Sequence, residues 1–348
     1  MRNSFNISGF SEAAHEIRDD PREAQYHYSV RSTFSPTRGV IAHTEPALLG
    51  SVKSARKFTI PVSTPAAMGI SMENPEDPTP LDLALTGIAA CSLKTMVGGG
   101  TARGITFGSL SMTISAGLDG GHGSTSLDAP IAGISCRIHA DDSVGGSVLD
   151  ELVSQVRSHS PNHRTVTDPI PVLLDIGRPL HDSVVPGPVT THLVTAGQRA
   201  QARRVRWVSS TQFESIGEND EPSSVLRVDQ PKQLTGVDWG PNPQEYLLMA
   251  LAAEVALQTR QEALRRTRSE GVWEVHAKAR VDIRGLLKLD PTAPVPIQDL
   301  VCAVRPRHAL PEEEWRDIAR AAVRRSVLVD LLTNPCSMKI DLICGVPV

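Results

Sequence analysis

The sequence lacks most of the features that announce a function directly. Across 348 residues there is no long run of like charge, and the net charge is −4. A nucleic-acid binder is expected to show a basic face, so no nucleic-acid partner is expected. Cysteines are few and odd in number, at 91, 136, 302, 336 and 344, with no Cys-x-x-Cys spacing. That pattern argues against a disulfide framework or a structural zinc site and suits a reducing, cytoplasmic location. The first 24 residues carry Glu12, Glu16, Asp19 and Asp20 and no apolar core, so they do not read as a signal peptide. No stretch approaches the roughly 20 apolar residues of a membrane span, so no membrane association is expected. No Gly-rich phosphate loop stands at a strand-to-helix turn, and no nucleotide or other cofactor is expected.

What the chain does have is an internal repeat. The segment Pro80-Leu81-Asp82-Leu83-Ala84-Leu85-Thr86-Gly87-Ile88-Ala89-Ala90-Cys91 returns as Pro243-Gln244-Glu245-Tyr246-Leu247-Leu248-Met249-Ala250-Leu251-Ala252-Ala253-Glu254, at an offset of 163. Cys136 and Cys302, Ser160 and Ser326, Pro169 and Pro335, and Asp175 and Asp341 match at an offset of 166. Four matches at one offset point to a tandem duplication, and the small drift is what loop insertions produce. A linker is expected over 179–190, where Pro179, Pro186, Gly187 and Pro188 interrupt any periodicity. The expected organisation is an extension over 1–26 with a short helix near 11–18, module one over 27–178, and module two over 191–348.

Each module predicts the same order of elements. Alternating strands come first, near 28–33 and 205–209. Long apolar helices follow over 80–98 and 243–266. Strand pairs are expected at 109–115 with 135–140 and at 274–283 with 299–304. Second helices cover about 147–159 and 311–325, and last strands cover 170–176 and 337–343. The fold class is α+β with antiparallel sheets. Both long helices open with the same device: a capping residue, Thr79 or Asn242, then proline, then Asp82 or Glu245 three residues after the cap.

The Thr/Asn-Pro-x-Asp/Glu start and the Ala-Ala-Cys in mid-helix resemble the OsmC/Ohr family of thiol-dependent hydroperoxide reductases. Residues 80–91 carry the likeness most closely, and the order of elements extends it over both modules. The resemblance implies an intertwined homodimer with two long helices crossing at its centre and active sites at the subunit interface. A tandem copy then becomes a pseudo-dimer within one chain. A helix apolar on every face must be buried on every face, which one small module cannot achieve alone.

The resemblance also implies a mechanism. In the family, a helix cysteine attacks the peroxide, and a second cysteine in a Cys-Pro sequence resolves the sulfenic acid. Cys91 stands at the attacking position, Ser160-Pro161 at the resolving one. In module two, Glu254 and Ser326-Val327 occupy these places. A two-cysteine cycle is therefore lost, and a one-cysteine cycle resolved by an external thiol remains. The family's catalytic glutamate would lie at Leu81 or Gln244. Its arginine matches Arg38, with Arg206 as the module-two equivalent.

Each candidate has a bland reading beside the functional one. Cys91 is either a reactive thiol or an inert core residue. His159 and His163 flank Ser160; they could take the thiol proton, or they could be surface residues complementing a helix end. A metal site from this pair lacks a third ligand. Glu254, buried in an apolar run, is a general acid/base, a ligand contact, or a structural ion pair. Asp82 and Glu245 are explained by capping, Cys136 and Cys302 by packing, and Cys336 and Cys344 have no counterpart in module one. The expected function is a cysteine-dependent enzyme, a one-cysteine peroxidase or thiol-transfer catalyst, acting on a small organic substrate with Cys91 as nucleophile. Its site would comprise Cys91, Glu254, Arg38, His163 and Ser160, and an external thiol would be its partner. The alternative is a non-redox small-molecule-binding or specialised biosynthetic protein that kept the pocket, with Glu254 facing the ligand.

Overall fold

The computed structural model describes residues 2–63, 74, 76–118, 131–141, 144–177, 182–183, 200–218 and 223–344. The expected linker over 179–190 lies outside the described residues except for 182–183. The first half contains α1 (Ile7–Asp19), β1 (Gln25–Ser35), β2 (Gly39–Thr44), β3 (Ala47–Leu49), β4 (Val52–Ser54), β5 (Thr59–Val62), α2 (Pro80–Ala102), β6 (Leu110–Leu118), β7 (Ile131–Ala140), α3 (Gly146–His159), α4 (Pro161–Thr167), β8 (Val172–Asp175) and β9 (Asp182–Ser183). The second contains β10 (Ala200–Ser209), β11 (Gln212–Gly217), β12 (Leu226–Val228), α5 (Pro243–Thr267), β13 (Trp273–Asp282), α6 (Ile283–Leu287), β14 (Gln298–Pro306), α7 (Glu312–Arg325), α8 (Val327–Thr333) and β15 (Met338–Cys344). The fold is α+β. The expected helices and strands are present, and the extension forms a longer helix than the 11–18 segment suggested.

Neither half builds its own sheet. One sheet runs β4-β3-β1-β13-β14-β8-β9, with β2 and β5 attached to β1, and the other runs β12-β11-β10-β6-β7-β15. Strand β1 pairs antiparallel with β13 from Gln25 opposite Asp282 to Phe34 opposite Trp273. Strand β10 pairs with β6 in the same manner. The strand that follows the second helix pair of each half crosses over too, and here the pairing is parallel: β8 lies along β14, and β15 along β7. The expected antiparallel sheets thus each contain one parallel pair. A strand arriving from the other half after its helices need not reverse direction as a hairpin must.

Helices α2 and α5 lie at the centre. Both begin with a complete capping box, Thr79 with Asp82 and Asn242 with Glu245, with proline at the first turn. Side chains from both halves, including Leu83, Ile88, Leu93, Leu248, Leu251 and Val255, form one continuous core. In length and composition α2 could cross a membrane, contrary to the expectation that no stretch would qualify, but 83% of its apolar window is buried inside the protein. It is apolar all round because sheets and α5 surround it.

Close helix crossing is written into one glycine. A Cβ on Gly87 would lie 2.7 Å from the Pro243 carbonyl oxygen. Asn162 then fastens the crossing, its Nδ2 donating to Gly87 O at 2.9 Å and to Pro243 O at 2.8 Å. This contact brings the start of α5 against the middle of α2.

Candidate active site

Cys91 lies on α2 just past that crossing and is fully buried. Its sulfur accepts two hydrogen bonds. Ser160 Oγ donates at 3.2 Å, from the junction of α3 and α4. Gln244 Nε2 donates at 3.4 Å, from the first turn of α5. One donor comes from each half of the chain, so the site exists only where the halves meet. Donors of this kind stabilise the negative charge carried by an attacking sulfur or left on an oxidised one.

One helical turn beyond Cys91, Lys94 is buried and donates from Nζ to Gln230 Oε1 at 3.0 Å. Burial lowers its pKa, while the nearby Cys91 acts in the opposite direction. A residue three positions on shares the same helix face, so Lys94 and Cys91 feel each other's charge. Lys94 and Thr95 also line a cavity of about 290 Å³. The buried thiol is therefore one turn from open space.

Glu254 occupies the equivalent position on α5, and Ser326 reproduces the role of Ser160. The Ser326 hydroxyl donates to Glu254 Oε2, Val327 N donates to Oε1 at 3.2 Å, and Gln258 Nε2 donates to Oε1 at 3.1 Å. Burial pushes Glu254 up to about 7, against the pull of these donors. The carboxylate sits at the start of α8, where the helix dipole favours it. Neighbouring Cys302 is pushed to about 12 by burial and by the Glu254 charge.

The remaining candidates separate. Among the donors to the Cys91 sulfur, Ser160 is the member of the expected set that arrives. His163, three residues after Ser160 in the first turn of α4, is buried, with Nδ1 lacking a hydrogen-bond partner. Burial, reinforced by Arg157 and Arg164, holds it down to about 4, so it is a neutral core imidazole rather than a surface cation. His159 is half-buried and pairs with the Gly285 carbonyl at 3.0 Å. Arg38 is exposed at the turn between β1 and β2, and the structure does not bring it to Cys91. Arg206 pairs with Glu214 on the neighbouring strand. Among the described residues, no group of three or more His, Cys, Asp or Glu could hold a metal ion.

Two residues escaped the sequence reading. Gln244 was noted only as a place where a glutamate was missing, yet its amide reaches the sulfur. Arg56, between β4 and β5, pairs with Glu245 at 2.6 Å, both side chains almost wholly buried. Burial still raises Glu245 overall, outweighing the arginine and the Asn242 N–H. The pair pins the first turn of α5, and with it the neighbouring Gln244.

Residues 73–175, which hold Cys91 and Ser160, match the family model described as OsmC-like protein. Over this segment the chain is similar to the OsmC-like family. A solved structure titled an organic hydroperoxide resistance protein OsmC, predicted redox protein, regulator of sulfide bond formation, from Legionella pneumophila, is similar at 16% identity. It covers 40% of this chain and 89% of its own, with a TM-score of 0.28. No curated protein matches the chain. The OsmC-like segment ends at the last residue of β8, the strand that pairs with β14 of the second half.

Proposed function

We propose that this OsmC-like protein is a one-cysteine thiol enzyme in which Cys91 reduces a small organic hydroperoxide. The observation that carries the reading is the Cys91 sulfur held by Ser160 and Gln244 at the meeting of the two halves. The thiolate attacks the distal peroxide oxygen, the O–O bond breaks, and an alcohol leaves after taking a proton. Cys91 is left as a sulfenic acid. With serine at the resolving position, an external thiol attacks the sulfenic sulfur and releases water. A second thiol then releases Cys91 from the mixed disulfide and carries away the oxidised pair. The hydrogen bonds from Ser160 and Gln244 follow the charge from thiolate to sulfenate.

Glu254 in this reading is the non-redox counterpart of Cys91. It receives the Ser326 hydroxyl and the start of α8 as Cys91 receives Ser160. Its task is to dock the α7–α8 junction onto α5. Turnover of cumene hydroperoxide with excess dithiothreitol tests the proposal: the native protein is expected to consume peroxide and the Cys91→Ala variant to lose that activity. Equal rates in both proteins would overturn it.

A further inference from the structure

The cavity beside Lys94 has the chemistry of a binding site for an anion with an apolar body. Its walls include Phe5 and Phe10 from the N-terminal extension, Leu234 from the segment after β12, and Leu286 and Leu287 from α6. Phe5 and Phe10 pack edge to face, with ring centres 5.7 Å apart. The extension thus forms a wall of this cavity. At the buried end stand Lys94 and Gln230, 8% and 2% exposed. Lys94 has three donors and is seen using one, on Gln230 Oε1. Gln230 Nε2 is buried and has no hydrogen-bond partner. Two donors in an apolar enclosure with unused capacity call for an acceptor, because an unpaired buried donor is costly.

The charge around the cavity has one sign. Arg103 and Lys288 stand at its more exposed side, and no aspartate or glutamate lines it among the described residues. We infer that the cavity binds a medium-chain organic carboxylate, its carboxylate oxygens on Lys94 Nζ and Gln230 Nε2 and its chain along the phenylalanine and leucine walls. A volume of about 290 Å³ lies at the small end of ligand pockets, which suits a carboxylate of medium chain such as octanoate rather than a larger ligand. This goes beyond the thiol chemistry proposed above and does not depend on it. An inactive Cys91→Ala protein would still bind the carboxylate.

Gly98 gives a clean way to close the site. It lines the cavity, and a Cβ built on it meets nothing within 4 Å. Titration calorimetry of the full chain with sodium octanoate, octanol and octylamine tests the proposal. Octanoate is expected to bind one to one and at least tenfold more tightly than either analogue. Lys94→Met is expected to weaken octanoate at least tenfold while leaving octanol unchanged. Gly98→Leu is expected to abolish octanoate binding in a protein whose melting temperature is not lowered, which keeps the test independent of whether Lys94→Met folds. Octanol binding as tightly as octanoate, or octanoate binding unaltered by Gly98→Leu, would overturn the assignment.

Discussion

Replacing Ser160 with cysteine should restore the two-cysteine chemistry that this chain has lost. Ser160 Oγ lies 3.2 Å from Cys91 Sγ, is fully buried, and follows α3 directly. A disulfide needs roughly 2.05 Å between sulfurs, so the gap to close is on the order of 1 Å, part of it supplied by the longer carbon–sulfur bond. On exposure to one equivalent of peroxide, the Ser160→Cys variant should lose two hydrogens by intact mass and two titratable thiols. The native protein should gain an oxygen instead. The new bond would close a loop of about 70 residues, worth up to about 4 kcal/mol in loop entropy. Urea unfolding of the oxidised variant should therefore move to higher midpoint and return on reduction. If peroxide leaves the variant's thiol count and unfolding midpoint unchanged, the Cys91–Ser160 geometry is wrong, and with it the placement of the site.

Three other perturbations read the same architecture. Burial makes Glu254 hold its proton to about pH 7 when folded, against 4.5 for a glutamate in water. The folded chain binds more protons than the unfolded chain between those values, so this group makes stability fall as pH rises through that window, by on the order of 3 kcal/mol. The difference in urea stability between Glu254→Gln and the native protein should grow from pH 4.5 to 7; a constant difference contradicts the buried, raised carboxyl. Arg56→Met strands the Glu245 carboxylate and should cost about 3–5 kcal/mol in chemical denaturation, a loss absent if the pair is loose and hydrated. Gly87→Ala pushes a methyl against the Pro243 carbonyl and should cost about 1–3 kcal/mol, with peroxide turnover falling as Gln244 is displaced; a stable, fully active variant would show that the helices can separate freely.

The local signals in the chain were readable because they are local. Thr79-Pro80 with Asp82 and Asn242-Pro243 with Glu245 announce helix starts by short-range hydrogen bonding, and both capping boxes form. The match of Ser160 to a resolving position puts it near Cys91, and its hydroxyl reaches the sulfur. What failed to show was set by distant pairings. Strand β1 finds β13 some 250 residues away, as Gln25 opposite Asp282 shows, and no periodicity encodes that. Gln244 was dismissed as a lost glutamate, although its neutral amide still donates to sulfur. Arg56 comes from an irregular loop, where side-chain direction has no pattern to read. His163 reads from the sequence either as a base for the thiol or as a helix-end cation, but burial makes it a neutral core residue. Lys94 carries no motif in the sequence. Its meaning depends on Gln230, 136 residues further along.

The central claim is that Cys91 becomes oxidised while it is held between Ser160 and Gln244. Peptide mass mapping with dimedone, a trap for sulfenic acid, after a brief exposure to cumene hydroperoxide tests it most directly. The dimedone adduct should appear on Cys91 and not on Cys136 or Cys302, whose thiols burial raises to about 12. It should diminish in Gln244→Leu, which removes one donor to the sulfur. An unmodified Cys91, or an adduct spread equally over the buried cysteines, would contradict the account.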